Sequence, residues 1–287
     1  MINSKLWQHI VLSDDNVKLS LLPGIGGRVM NVHFRGVPLL FENPDSLEYQ
    51  PDLSDLGEVP TRAKHLPFPL WGGEKTWVAP ESAWPDAGPH PVLDSGPYEY
   101  QTLSEVKVRM TSRICPLSGL QVVRTVTLET REAGWLVEHE LTNHFNMDQY
   151  CGIWSVMMIR RPVRITCQVP ALDSHAVLMG DPLTAVSGSG EQIAIDCVSA
   201  NEFKIGTHPT GCVARVVYGD EIGAVTLTAE ASSILEPEKY AHGHALEVYN
   251  SAHYDYAELE WHAPAGNLSP GETSVFSVRY RIRETAE

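Results

Sequence analysis

Positive charge is scarce in this chain. Its 287 residues carry 21 Lys and Arg against 36 Asp and Glu, a formal net charge of −15, so it offers no clustered cationic footprint for a polyphosphate backbone or an anionic lipid surface. Nucleic acid and membranes are not expected partners, and a neutral small molecule suits the charge balance better. Long apolar runs are missing too. No stretch approaches the ~20 residues a membrane helix needs. The opening Met1-Ile2-Asn3-Ser4-Lys5-Leu6-Trp7-Gln8-His9 has no basic segment followed by an apolar one. The expectation is a soluble, cytoplasmic protein. Cysteine is sparse: Cys115, Cys151, Cys167, Cys197 and Cys212 include no close pair at metal-ligand or redox spacing. Their odd number reads as free buried thiols in a reducing compartment.

Amphipathic helical windows are also few, which disfavours a doubly wound α/β fold. Gly24-Ile25-Gly26-Gly27 lacks the full spacing of a dinucleotide loop and runs into a strand-like segment, so it reads as a tight turn between two strands. Ser187-Gly188-Ser189-Gly190 has no nucleophile-elbow pattern around it, and no cysteine lies in an obviously electropositive setting. Nucleophilic catalysis therefore has little support. No Pro/Ser linker divides the chain and no internal repeat is evident, so residues 1–287 read as one domain, long enough to bury a substantial core.

What is present is β signal. Short runs rich in Val, Ile, Leu, Thr and Tyr alternate with Gly, Pro, Asn and Asp. The expected strands are 17–22, 28–34, 98–114, 120–129, 135–143, 152–159, 163–167, 192–196, 212–218, 224–229, 245–249, 256–262 and 273–281. Many strands at short spacing indicate an all-β antiparallel sandwich or barrel. Residues 42–97 differ, with many prolines, several acids and a cluster of tryptophans, and read as an ordered irregular excursion covering one end of the fold.

That excursion holds the most informative segment, from Trp71-Gly72-Gly73-Glu74-Lys75-Thr76-Trp77 through Glu81 to Trp84-Pro85. Aromatic faces can lie against the C–H face of a sugar while charged groups take its hydroxyls, and glycines let backbone approach a ligand closely. An alternative is a proline-rich surface loop pinned by tryptophans. A second feature is Glu258-Leu259-Glu260-Trp261-His262: on a strand, period-two alternation puts Glu258, Glu260 and His262 on one face. Neighbouring carboxylates raise one pKa, as a general acid or base near neutrality requires. The alternative there is a solvated strand face. A third feature is His242-Gly243-His244 with Glu247 and His253, a spacing similar to the metal-binding set of cupins.

Leu21-Leu22-Pro23-Gly24-Ile25-Gly26-Gly27-Arg28-Val29, Arg35-Gly36-Val37-Pro38 and the closing Leu268-Ser269-Pro270-Gly271-Glu272 complete a pattern over nearly the full length. It resembles the galactose mutarotase-like superfamily, the aldose 1-epimerases and their relatives. The resemblance implies a large antiparallel β-sandwich binding a small-molecule carbohydrate, with no cofactor. It further implies a glutamate that deprotonates the anomeric hydroxyl and a histidine that protonates the ring oxygen. By position the glutamate is Glu258 or Glu260. The nearest match for the histidine is His144 in Leu141-Thr142-Asn143-His144-Phe145, while another alignment puts Trp154 or Ser155 there. Lys75 would replace the family's arginine as a cationic hydroxyl ligand. Glu81 would add an acceptor, and Arg28, Trp71, Trp77, Trp84 and His262 would help shape the pocket. Two other readings stand beside this one: a non-catalytic carbohydrate-binding protein on the same fold, and a cupin-like metal enzyme using His242, His244, Glu247 and His253.

Overall fold

A computed structural model describes residues 7–47, 49, 53–85, 88–171, 174–219, 225–233 and 236–284. The opening residues 1–6, and residue 224 at the start of one expected strand, lie outside the described residues. The first strands in chain order are β1 (Ile10–Ser13), β2 (Val17–Leu22), β3 (Arg28–Phe34), β4 (Val37–Pro38), β5 (Glu74–Ala79), β6 (Glu99–Ser104) and β7 (Lys107–Thr111). Then come β8 (Leu120–Glu129), β9 (Gly134–Asn143), β10 (Gln149–Arg160), β11 (Val163–Gln168), β12 (His175–Gly180), β13 (Val186–Ser189) and β14 (Gln192–Cys197). The series closes with β15 (Phe203–Thr207), β16 (Val213–Tyr218), β17 (Val225–Ala231), β18 (Leu246–Asn250), β19 (Tyr256–His262), β20 (Gly266–Leu268) and β21 (Thr273–Glu284).

They form two antiparallel sheets, a β-sandwich. One runs β1-β2-β3-β5-β10-β19-β18-β15-β12, with β4 on β3 and β20 on β10; the other runs β13-β14-β11-β16-β17-β21-β9-β8-β7-β6. Alternation makes the layers: Ala257, Leu259 and Trp261 of β19 and Ile153, Met157 and Ile159 of β10 enter the core, where Val122, Val126, Val137, Leu227 and Val278 of the other sheet meet them. The five cysteines are free and buried. No helix among the described residues is long and apolar enough to cross a membrane.

Two expectations need correction. The run 98–114 is two strands, β6 and β7, because the chain turns at Glu105 and folds back so that Gln101 faces Arg109. The excursion 42–97 is not irregular throughout, since β5 lies inside it and sits mid-sheet between β3 and β10. All six β5 residues are buried, so no in-and-out alternation marks it in the sequence.

The glycines before β5 serve this placement and not close approach to a ligand. Gly72 and Gly73 have φ of 102° and 71°, and added Cβ atoms would lie 2.3 Å from the Phe41 carbonyl oxygen and 2.5 Å from that of Val29. Only glycine lets β5 enter against these two backbones. The Gly24–Gly27 segment is the expected turn, joining β2 to β3.

Candidate functional site

Cross-strand register assembles the site. Across the first sheet Lys75 pairs with Val156, Val156 with Glu260, and Glu260 with Glu247. One rung along, Trp77 pairs with Trp154 and Trp154 with His262. On the other side Met158 pairs with Glu258, Glu258 with Tyr249, and Tyr249 with Lys204. Directly opposed residues share a face, so five strands present these side chains on the surface facing away from the core.

There they border a cavity of about 420 Å³. Trp77, Trp84 and Phe68 make one wall, with Trp77 edge-on to both neighbours at 5.1 and 5.3 Å. Trp84 stacks on Trp154 at 5.6 Å and 22°. Glu81, Glu247, Glu258, Glu260, Lys204, His242 and Tyr249 supply the polar lining. A wider hollow of about 860 Å³ beside Pro44 and Arg160 has no tryptophan in its lining, and its Arg161 is already bonded to Asn250 and to the carbonyls of Ser251 and Tyr254.

Lys204 links two of the carboxyl groups, its Nζ lying 2.6 Å from Glu247 Oε2 and 3.0 Å from Glu260 Oε2. Trp154 Nε1 donates to the same Glu260 oxygen at 2.9 Å. Glu260 Oε1 is buried without a hydrogen-bond partner. Burial pushes the Glu260 carboxyl up to about 8, Lys204 pulls it down, and the charges of Glu258 and Glu247 add to the rise. Glu247 goes the other way. Burial would raise it, but hydrogen bonding from His242 and the nearby His262 imidazole, with the charge of Lys204, hold it well below the usual carboxylate range.

Burial opposes the charge of Lys204, yet Glu260 and Glu247 together raise its pKa. Burial pushes His262 down to about 4 against the pull of Glu247. Lys75 is also lowered by burial, and its Nζ sits 3.4 Å from Glu258 Oε1 and 4.1 Å from the Trp77 ring centre.

Glu247 Oε1 lies 3.2 Å from His242 Nδ1 and 3.6 Å from His262 Nε2. An ionised carboxylate only accepts, so His242 Nδ1 carries the proton toward Glu247. Its Nε2 is then the acceptor, taking the Glu81 backbone N–H at the long distance of 3.5 Å. These three residues could hold a divalent ion. Such an ion would share its carboxylate with the Lys204 ammonium, and that repulsion makes the set better suited to moving protons than to holding metal.

No protein-family model matches the chain, and no curated protein matches its sequence. Solved structures do match. The Slr1438 protein from Synechocystis sp. PCC 6803 superposes with a TM-score of 0.65 at 16% identity, over 97% of this chain and 96% of that one. A galactose mutarotase-like protein from Lactobacillus casei gives 0.61 at 10%, over 96% and 100%. A galactose mutarotase related enzyme from Lactobacillus acidophilus gives 0.61 at 8%, over 98% and 99%. The chain has the galactose mutarotase-like fold.

On this mutarotase-like sandwich the residues expected from sequence divide. Glu258, Glu260, Trp77, Glu81 and Trp84 line the cavity, and Lys75 and His262 lie against its lining residues. Three others lie elsewhere. His144 is exposed between β9 and β10, with Nε2 3.1 Å from Gln121 Oε1. Turn residues follow Asn143 there, so the side chain leaves the sheet before β10 begins. Trp71 is buried, donating Nε1 to Ser95 Oγ at 2.9 Å.

Arg28 is buried in an ion pair with Asp94 Oδ1 at 2.7 Å and also donates to the Gly72 carbonyl. It acts on the cavity at one remove, since Asp94 Oδ1 accepts the Trp77 indole N–H at 2.7 Å. The four ligands of the metal reading do not converge either. His244 stacks on His208 at 5.3 Å, His253 lies with His65 and Glu202, and only His242 and Glu247 stay together, because Gly243 turns the chain between the two histidines.

Lys204, Tyr249 and Phe68 were not anticipated as site residues. A single lysine inside the apolar run Phe203-Lys204-Ile205 was the available signal.

Proposed function

We propose that the chain binds a neutral sugar in the Trp77/Trp84/Trp154 cavity and interconverts its anomers by acid–base catalysis through Glu260 and His242. The observation that carries this reading is one cavity holding an unpartnered carboxyl oxygen on Glu260 and an imidazole oriented by Glu247. The roles are exchanged relative to those the sequence resemblance implies. A carboxyl pushed up to about 8 keeps its proton at neutral pH and donates it to the ring oxygen. His242 Nε2 takes the proton of the anomeric hydroxyl as the bond between C1 and the ring oxygen breaks, giving the open-chain aldehyde. After rotation about C1–C2, the ring hydroxyl attacks C1, Glu260 recovers its proton and His242 returns its own to the new anomeric oxygen. Glu258 accepts a sugar hydroxyl while Lys75 holds its carboxyl in place.

Exchange NMR on a panel of aldoses tests this. Wild-type protein should accelerate anomer exchange for at least one sugar. Glu260→Gln and His242→Gln should each lower kcat by about 10²–10⁴ while sugar binding persists. A second reading, binding without turnover, is supported by His144 lying outside the cavity and an aromatic, Trp154, occupying the central strand. Binding without acceleration would select that reading. Absence of binding to any sugar in the panel would remove both.

A further inference from the structure

Away from the proton-transfer groups, His65, Glu202 and His253 bring three ligand atoms within 4.8 Å of one another. They come from three distant parts of the chain: the segment after β4, the residue preceding β15, and the turn between β18 and β19. Their convergence is therefore a product of the tertiary fold. We propose that they form a binding site for a divalent transition ion of the zinc class at the rim of the sugar cavity.

The donor chemistry selects the ion. Two imidazoles and one carboxylate suit zinc and its neighbours, whereas magnesium and calcium prefer oxygen sets. Ligand bonds of about 2.0–2.1 Å in a tetrahedral site put neighbouring donors about 3.3 Å apart. His65 Nε2 and Glu202 Oε1 stand at 3.4 Å, and the His65 and His253 rings lie 4.8 Å apart between centres, tilted by 41°. Rotation of exposed imidazoles is enough to close the remaining gap, and a fourth position stays open to water.

The supports are in place before any ion arrives. Glu202 Oε1 accepts the Tyr249 hydroxyl at 2.6 Å, the kind of outer hydrogen bond that orients a ligating carboxylate. The two histidine segments are tied together next to the histidines. The Arg62 backbone N–H donates to Tyr254 Oη at 2.6 Å, that hydroxyl donates to Asp45 Oδ2 at 3.0 Å, and the Arg62 guanidinium lies 5.2 Å from the Tyr254 ring centre. Ser251 Oγ accepts the His253 backbone N–H at 3.1 Å. Tyr249 and Leu66, next to Glu202 and His65 in space and sequence respectively, line the cavity. An ion here would clip the 61–66 segment to the β15 and β18–β19 ends across the cavity mouth.

Titration of untagged full-length protein with cobalt(II) chloride, followed by competition with zinc chloride, tests the site. The expected result is one cobalt ion per chain with the intense visible absorption of tetrahedral cobalt. Zinc should displace it, magnesium should not, and His65→Gln and His253→Gln should each weaken binding at least tenfold. No binding, or binding that both variants retain but His242→Gln abolishes, would overturn the proposal. The readout is metal binding, so it is independent of whether the cavity turns sugar over.

Discussion

Trp154 donates its indole N–H to Glu260 Oε2 at 2.9 Å across the β10–β19 ladder, while Glu260 Oε1 keeps no partner. One side chain thus serves two ends: its face stacks with Trp84 in the cavity wall and its edge aims the carboxyl group. The aromatic wall and the Glu260 carboxyl group are parts of one unit, and disturbing either alters the other.

Replacing Trp154 by Phe separates the two. A phenyl ring keeps an aromatic face toward Trp84 but removes the donor to Glu260, and a hydrogen bond to a carboxylate favours its charged form. The Glu260 pKa should therefore rise above the wild-type value of about 8. Carbon-13 NMR titration of the Glu260 carboxyl reads this directly, and anomer exchange should persist to higher pH in the variant. An unmoved titration midpoint would show that the indole N–H does not tune the acid.

Glu260 also makes stability depend on pH. Its folded pKa of about 8 lies above the ordinary 4.5, so between these values the folded state holds a proton that the unfolded chain has released. Stability from this group is present below about pH 4.5 and declines as pH rises toward 8, by at most about 1.4 kcal/mol per unit. His262 acts in the opposite sense: with a folded pKa of about 4 against 6.5, it costs stability as pH falls from 6.5 to 4. Glu260→Gln removes only the first dependence, because Lys204 retains Glu247 at 2.6 Å. Urea midpoints at pH 5, 6.5 and 8 should show the variant gaining progressively on wild type; a constant difference would contradict the raised pKa.

Much of the fold was legible because it rests on local patterns. The spans 17–22, 28–34, 120–129 and 256–262 emerge as β2, β3, β8 and β19, and alternation in β19 places Glu258 and Glu260 on the cavity side. β5 was illegible because it is buried on both faces, with Glu74, Lys75 and Thr76 held inside by specific partners. Lys204 and Glu247 could not be joined to Glu260 from sequence because neither periodicity nor spacing gives the strand order β10-β19-β18-β15. The setting of Arg28 was illegible for a related reason: its partner Asp94 lies 66 residues away, and an arginine beside a glycine turn looks the same whether it meets a ligand or a carboxylate.

That buried pair should be costly to break. Arg28 and Asp94 have side chains only 1% and 2% exposed, and removing one partner strands the other charge in a low-dielectric interior. Arg28→Met should lower stability by about 3–5 kcal/mol in urea unfolding, with weaker sugar binding as Asp94, the acceptor of the Trp77 indole N–H, loses the guanidinium that fixes it. A milder loss would follow if Asp94 retained only its Trp77 and Ser95 donors without penalty. Comparison with Asp94→Asn, which removes the charge but keeps an oxygen for the Trp77 indole N–H while turning an amide NH2 toward Ser95 Oγ, separates loss of the ion pair from loss of the Trp77 acceptor.

On the proposed function, the charge lining the cavity favours plain over phosphorylated sugars. Four carboxyl groups, on Glu81, Glu247, Glu258 and Glu260, are accompanied by Lys75 and Lys204. Both lysines are engaged: Lys75 is buried at 3.4 Å from Glu258, and Lys204 is shared between Glu247 and Glu260. A phosphate would have to draw an ammonium away from its carboxylate and then sit beside that carboxylate, a like-charge contact. Calorimetric titration should therefore find a hexose bound at least tenfold more tightly than its 6-phosphate, a difference of about 1.4 kcal/mol. The gap should narrow in Glu258→Gln, which leaves Lys75 without its carboxylate. Equal affinity for the two ligands, or tighter binding of the phosphate, would mean that the sugar carbon bearing the phosphate lies outside the Glu258–Lys75 side of the cavity.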